Sequence, residues 1–236
     1  MPNIDNIHPP FRDNSRFAQN LARWITKRIG WDADFWDLLD SEKVIVTGVP
    51  HTSNMDSILM IIFAAAMGRR LRWVVKKELA WEPLGTIIRA TGGIFIDRRS
   101  RAGLVGQIAE IVKASESIFL VIAPEGTRSY TDKWKSGFYY IAVDASVPIV
   151  LAHLNYQRKR FGARAPFMPT GDLKADEVLI RDYYAQWAGA RYPEKFGPIV
   201  MDVPRTRRAD RNASKATSPV ADAHETATAS HDEPTE

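Results

Sequence analysis

The sequence predicts an α/β domain on a mostly parallel central sheet flanked by helices, with an N-terminal amphipathic helix before it and a disordered C-terminal tail after it. Three observations carry this. Between residues 43 and 154 short apolar runs alternate with helical periods, which is how strand–helix–strand units read. Before them, residues 16–30 repeat apolar side chains at helical spacing. From residue 205 the composition shifts to Ala, Thr, Ser, Asp and Glu with no apolar period, so that stretch cannot build a core. The expected organisation is a packing segment at 1–40, a catalytic-sized domain at 41–204 and a tail at 205–236.

Taken in order, the helix over 16–30 gathers Phe17, Leu21, Trp24, Ile25 and Ile29 on one arc, with Arg23 and Lys27 opposite. Arg28 falls inside the apolar arc, where a long cation can snorkel, so the arc suits either the domain's own core or a lipid interface. Residues 31–40 mix two tryptophans with aspartates and read as a packing turn. Strands follow at 43–49, 71–75, 93–96, 118–122 and 147–154, each a β-branched or aromatic run of strand length. Helices are expected at 53–67, 83–90, 101–115 and 137–145, and a closing helix at 175–190. The stretch 156–173 is rich in Arg, Lys, Pro and Gly and reads as irregular.

Composition narrows the chemistry. With 236 residues, 45% apolar and 25% charged, the chain has the balance of an ordinary globular protein. It has no cysteine, which excludes disulfides, cysteine metal sites and a thiol nucleophile. The net charge of +4 suits anionic lipid, phosphorylated small molecules or nucleic acid alike. No apolar run approaches the roughly 18 residues of a membrane span. Residues 1–14 lack the apolar region of a signal peptide, so a cytoplasmic location is expected.

The chain turns on the stretch 44–59. His51 and Asp56 are five apart, which inside one helix would set them about 140° around the axis from each other. If the strand ends at Pro50 and the helix begins near Ser53, His51 hangs on the loop and Asp56 sits in the first helical turn. Their side chains can then converge, and a carboxylate that accepts from one imidazole nitrogen leaves the other to take a proton from a hydroxyl. The same letters also match a capping box, in which Asp56 only satisfies the helix terminus. This stretch by itself does not choose between them.

Two later segments add cationic groups beyond strand ends. Gly92-Gly93-Ile94-Phe95-Ile96-Asp97-Arg98 puts a guanidinium after a short buried strand. Ala123-Pro124-Glu125-Gly126-Thr127-Arg128 sets a carboxylate and a guanidinium around a glycine that lets backbone approach a ligand. Arg128 could fork onto a phosphate or pair internally with Glu125.

Together and in this order these segments resemble the glycerolipid acyltransferases typified by 1-acyl-glycerol-3-phosphate acyltransferase. That family carries H-x4-D, G-x-x-F-x-x-R, E-G-T-R and V-P-I-V blocks, which stand here as 51–56, 92–98, 125–128 and 147–150. Lys76-Lys77-Glu78-Leu79 and Lys135-Ser136-Gly137 extend the match, which covers about 44–154. Pro50, Trp134 and Leu151 depart from residues common in the family. The resemblance implies His51 as general base with Asp56 as its partner. It implies that Phe95 and Arg98 shape the acceptor site and that Glu125, Gly126, Thr127 and Arg128 bind a phosphorylated head, with Lys76 and Lys77 as secondary candidates for phosphate contact. It further implies an α/β fold beside a membrane, acyl-CoA or acyl-carrier protein as co-substrate with no cofactor, a lysophospholipid acceptor, and peripheral attachment to the cytoplasmic face of the membrane.

Two rival classes remain at this point. A hydrolase using Ser53 or Ser129 as nucleophile would lack the G-x-S-x-G elbow. A basic peripheral module for membranes or nucleic acid would need no chemistry, and no recognised nucleic-acid motif supports it. A metal at His51 and Asp56 lacks further ligands at matching spacing, so none is expected.

Overall fold

A computed structural model describes residues 15–34, 41–97 and 103–202. Among these residues seven strands form the main sheet: β1 (Asp32–Asp34), β2 (Lys43–Val49), β3 (Leu71–Lys76), β4 (Gly93–Ile96), β5 (Ile118–Ile122), β7 (Ile149–Asn155) and β8 (Arg160–Ala163). Their order is β1-β8-β7-β2-β5-β3-β4, and a separate two-stranded sheet pairs β6 (Trp134–Lys135) with β9 (Met201–Asp202). The run from β7 to β4 is parallel, and β8 turns antiparallel against β7. The mostly parallel α/β reading therefore holds.

Among the described residues six α-helices accompany the sheet: α1 (Arg16–Arg28), α2 (Asn54–Ala66), α3 (Leu84–Ala90), α4 (Gly103–Ala114), α5 (Gly137–Ala145) and α6 (Leu173–Trp187). Strands buried on both faces read as unbroken apolar runs, which is why β2 is Val-Ile-Val rather than an alternation. One face meets α2, where Leu59, Met60 and Phe63 pack on Val44, Val46, Phe119, Val150, Ala152 and Leu154. The intervening residues point the other way, as strand geometry requires. There Tyr184 of α6 meets Thr47 at 2.6 Å, while Tyr183 bonds the His153 ring at 2.7 Å and Trp187 stacks on it.

Several expectations shift. Residues 156–173 are not wholly irregular: Arg158 N donates to the Asn155 side chain at 2.9 Å, Lys159 takes φ 47°, and the chain returns as β8. Strand β1 then extends the sheet by pairing in parallel with β8. Residues 15–34, expected as a segment ahead of the domain, thus supply a sheet edge and a helix packed on α2. The final helix starts at Leu173, because Asp172 caps it by accepting from Lys174 N at 3.0 Å. Strand β7 starts at Ile149, since Val147 N still closes α5 by donating to Ala142 O.

Helix α1 turns its apolar arc away from the domain's own core. It packs on α2 through Ala22 and Thr26, with Arg23 Nε donating to Ala66 O at 3.0 Å. Its apolar arc faces outward, with Phe17 76% and Trp24 59% exposed and Leu21 and Ile29 also exposed. Small residues allow the close helix–helix approach, which leaves the bulky ones outside. Trp31 does act as a packing residue, against Phe63 and Tyr156. Residues 1–14, 35–40, 98–102 and the tail from 203 lie outside the described residues.

Candidate active site

The parallel order β7-β2-β5-β3-β4 sets five strand ends side by side on one edge of the sheet, the edge where α/β sheets bind ligands. Along it stand Tyr156 after β7, His51 after β2, Glu125 to Arg128 after β5, and Lys76 at the end of β3. Arg98, after β4, lies outside the described residues.

His51 is half-buried on the loop between β2 and α2. Burial pushes its pKa below the ordinary 6.5, the Asp56 charge opposes that, and the Arg128 charge lowers it further. The imidazole is therefore biased towards its neutral, proton-accepting form.

Asp56 corrects the expected hydrogen-bonded pair. Its carboxylate is 1% exposed, and Oδ2 accepts from Thr52 N at 2.6 Å and Ser53 N at 2.7 Å. Oδ1 accepts from Ser53 Oγ at 2.8 Å and from the Tyr156 hydroxyl. The bond to Ser53 N is the reaching-back half of a capping box. Among the described residues, no hydrogen bond joins Asp56 to the His51 ring. Asp56 thus fastens the loop as a helix-terminus residue, and its charge opposes the lowering of the His51 pKa.

Glu125 corrects the head-group assignment. It is 4% exposed, its Oε1 accepts from His51 N at 2.9 Å, and its buried Oε2 meets no protein partner. Burial foremost, and the Asp56 charge in addition, raise its pKa to about 7. A carboxyl turned inward onto the His51 main chain does not offer itself to a phosphate. It joins the third motif to the first.

The rest of that loop fits contact with a ligand. Arg128 is exposed, near enough to His51 to depress its pKa, and its guanidinium donates to Asn54 Oδ1 rather than pairing with Glu125. Gly126 takes φ +65°, where a side chain is strained, and an added Cβ would come within 3.2 Å of Lys135 Cγ. Thr127 Oγ1 accepts from Ser129 N at 3.1 Å and tightens the turn. Lys135 N donates to Pro124 O at 2.7 Å, which braces the loop from β6 and accounts for the Lys-Ser-Gly block.

Lys76 and Lys77 are exposed on the same edge, and Lys76 follows β5 by one strand. Phe95 lies in β4, three strands from β2, so roughly 14 Å separates the two strands. Its ring sits beneath the Arg89 guanidinium, 5.9 Å from the centroid. The fold thus gathers His51, Asp56, Glu125 and Arg128, sets the lysines at the rim, and leaves Phe95 more distant.

Sequence reasoning missed Tyr156, because the bond it makes spans 100 residues. The one available signal is its place just beyond a strand that neighbours β2. It also missed Asn54, which lies inside the first block and bonds Arg128.

Comparisons with known proteins bear on this site. A family model described as Acyltransferase matches residues 36–152. A 1-acyl-sn-glycerol-3-phosphate acyltransferase of Cocos nucifera is 31% identical over 173 residues, 64% of this chain and 54% of the coconut protein. The 1-acyl-sn-glycerol-3-phosphate acyltransferase alpha of Bos taurus is 29% identical over 147 residues, covering 54% of this chain and 50% of the bovine one. The 1-acyl-sn-glycerol-3-phosphate acyltransferase of Escherichia coli (strain K12) is 39% identical over 83 residues, 33% of this chain and 34% of its own. The chain spans about half the length of the first of these relatives. A crystal structure of a 1-acyl-sn-glycerophosphate acyltransferase from Thermotoga maritima aligns with TM-score 0.47 at 20% identity, over 73% of this chain and 80% of that one.

Proposed function

We propose, from the premise that this chain belongs to the glycerolipid acyltransferase family, that it transfers a fatty acyl group from a thioester to the hydroxyl of a lysophospholipid. The acceptor that the relatives' names favour is 1-acyl-glycerol-3-phosphate, and acyl-CoA or acyl-carrier protein would serve as donor. One observation carries the reading: a half-buried imidazole biased to its neutral form stands at the sheet's ligand edge with an exposed guanidinium beside it.

In the reaction, His51 takes the acceptor's hydroxyl proton as the oxygen attacks the thioester carbonyl. The carbon–oxygen bond forms and a tetrahedral oxyanion results, which collapses as the carbon–sulfur bond breaks. The thiolate leaves and recovers the proton from the imidazolium, so charge and protons balance. Asp56 favours the transient imidazolium through its charge. Arg128, with Lys76 and Lys77 at the rim, attracts the acceptor's phosphate and orients its hydroxyl towards His51. Arg98 and Phe95 remain part of this reading as acceptor-side contacts, Phe95 from β4.

Peripheral attachment to lipid belongs to the same reading. No helix among the described residues is long and apolar enough to cross a membrane. Phe17, Leu21 and Trp24 on α1, and Met55, Ile58 and Ile61 on α2, are exposed on two helices that pack together, with Lys27 and Arg28 in the last turn of α1. Aromatic and aliphatic side chains flanked by cations suit an anionic lipid interface. The test is to incubate purified protein with labelled acyl-CoA, or with labelled acyl-carrier protein, and a panel of lysophospholipids. Labelled diacyl product, lost in His51→Ala, is expected. Release of free fatty acid without transfer would overturn the reading.

A further inference from the structure

Asp56 is held from two directions. Thr52 and Ser53, on its own loop, supply three strong donors, and the fourth comes from Tyr156 across the sheet edge. A carboxylate offers about four lone-pair sites, so these donors fill it. Tyr156 arrives there because β7 lies beside β2 with Val49 opposite His153, which brings the residues just past β7 alongside the loop 50–53. Its ring packs edge-on against Trp31, with centroids 5.1 Å apart, and its main-chain N donates to Gly189 O at 2.9 Å. Burial and the neighbouring carboxylate push its phenol far above the ordinary ionisation range, so the hydroxyl stays a donor.

We propose that Tyr156 is a positioning residue for the His51 base: its hydroxyl holds one oxygen of Asp56 and sets how strongly that carboxylate draws a proton to the imidazole. No sequence motif marks it, and it lies outside the matched region 36–152. The inference rests on the reading of His51 as the base. Physically, a hydrogen bond donated to a carboxylate spreads its charge and occupies a lone pair that an imidazole N–H could otherwise use. Removing the donor concentrates that charge and opens Oδ1. Three other influences on His51 stay in place: burial, the Arg128 charge, and the grip of Glu125 on the His51 main chain.

Tyr156→Phe tests this, because the ring and its packing on Trp31 remain. Histidine-labelled full-length protein is titrated by NMR, with the His51 signal identified among the five histidines by its loss in His51→Ala. The His51 pKa is expected to rise by part of the roughly 1–3 units that an adjacent opposite charge can supply. The acid limb of the pH–rate profile should move up with it while the acceptor KM stays unchanged. In an Asp56→Asn background the further change Tyr156→Phe should leave the titration still, since the path through Asp56 is gone. An unmoved His51 titration in the single variant, with stability alone reduced, would make Tyr156 merely structural and overturn the inference. So would an equal shift with and without the Asp56 charge. If instead His51→Ala keeps its transfer activity, the proposed function falls, and the titration separates that outcome from this one.

Discussion

At the scale of single residues the site is a set of unequal charges around one imidazole. His51→Ala should lower kcat roughly a hundred- to ten-thousand-fold, the span of general-base catalysis, with the circular dichroism spectrum unchanged. Because burial and Arg128 both depress the His51 pKa, the acid limb of kcat/KM should lie below pH 6.5. Arg128→Ala removes one of those influences, so it should move that limb upward. It should also raise the acceptor KM about tenfold, as loss of a charge-assisted contact to phosphate would. Initial rates across pH, with acceptor and donor varied separately, check both effects. A change confined to the donor KM would remove Arg128 from the head-group role.

At the scale of elements, helix α2 serves two ends of the protein. Its first turn carries Asp56 to the site, and its third carries Phe63 into the core, where the ring is fully buried and stacks on Phe161 at 4.4 Å. Phe63→Ala should cost about 3–5 kcal/mol of stability, since the cavity lies between two layers that cannot collapse onto it. Denaturant unfolding measures this. Helix α1 predicts the reverse pattern. Replacing Phe17, Leu21 and Trp24 together by serine touches side chains already in solvent, so stability should change little. Sedimentation with anionic vesicles should fall sharply. Undiminished vesicle binding would exclude α1 as the lipid-facing element.

At the scale of the whole molecule, Glu125 ties stability to pH. Its folded pKa of about 7 stands above the ordinary 4.5, so the folded protein binds more protons than the unfolded chain between those values. Stability from this group is therefore full below pH 4.5 and is lost as pH rises through about 7. The total is on the order of 3 kcal/mol. Glu125→Gln keeps an acceptor for His51 N and cannot ionise, so its thermal midpoint should fall less between pH 5 and pH 8 than that of the unaltered protein. Parallel slopes would show that the buried carboxyl does not titrate in that range. The sequence by itself determined the α/β class, the strands β2, β4 and β5 to the residue, and the grouping of His51, Asp56 and the Glu125–Arg128 loop. Apolar period and motif spacing are local properties, and parallel strands bring their carboxyl ends to one edge. Only the tertiary structure decided which face of α1 packs, that β8 and β1 complete the sheet, that Glu125 turns inward and that Tyr156 reaches Asp56. Each of those outcomes depends on a neighbour far along the chain, and the free energy of burying or pairing a group is set by that neighbour rather than by the residues beside it in sequence.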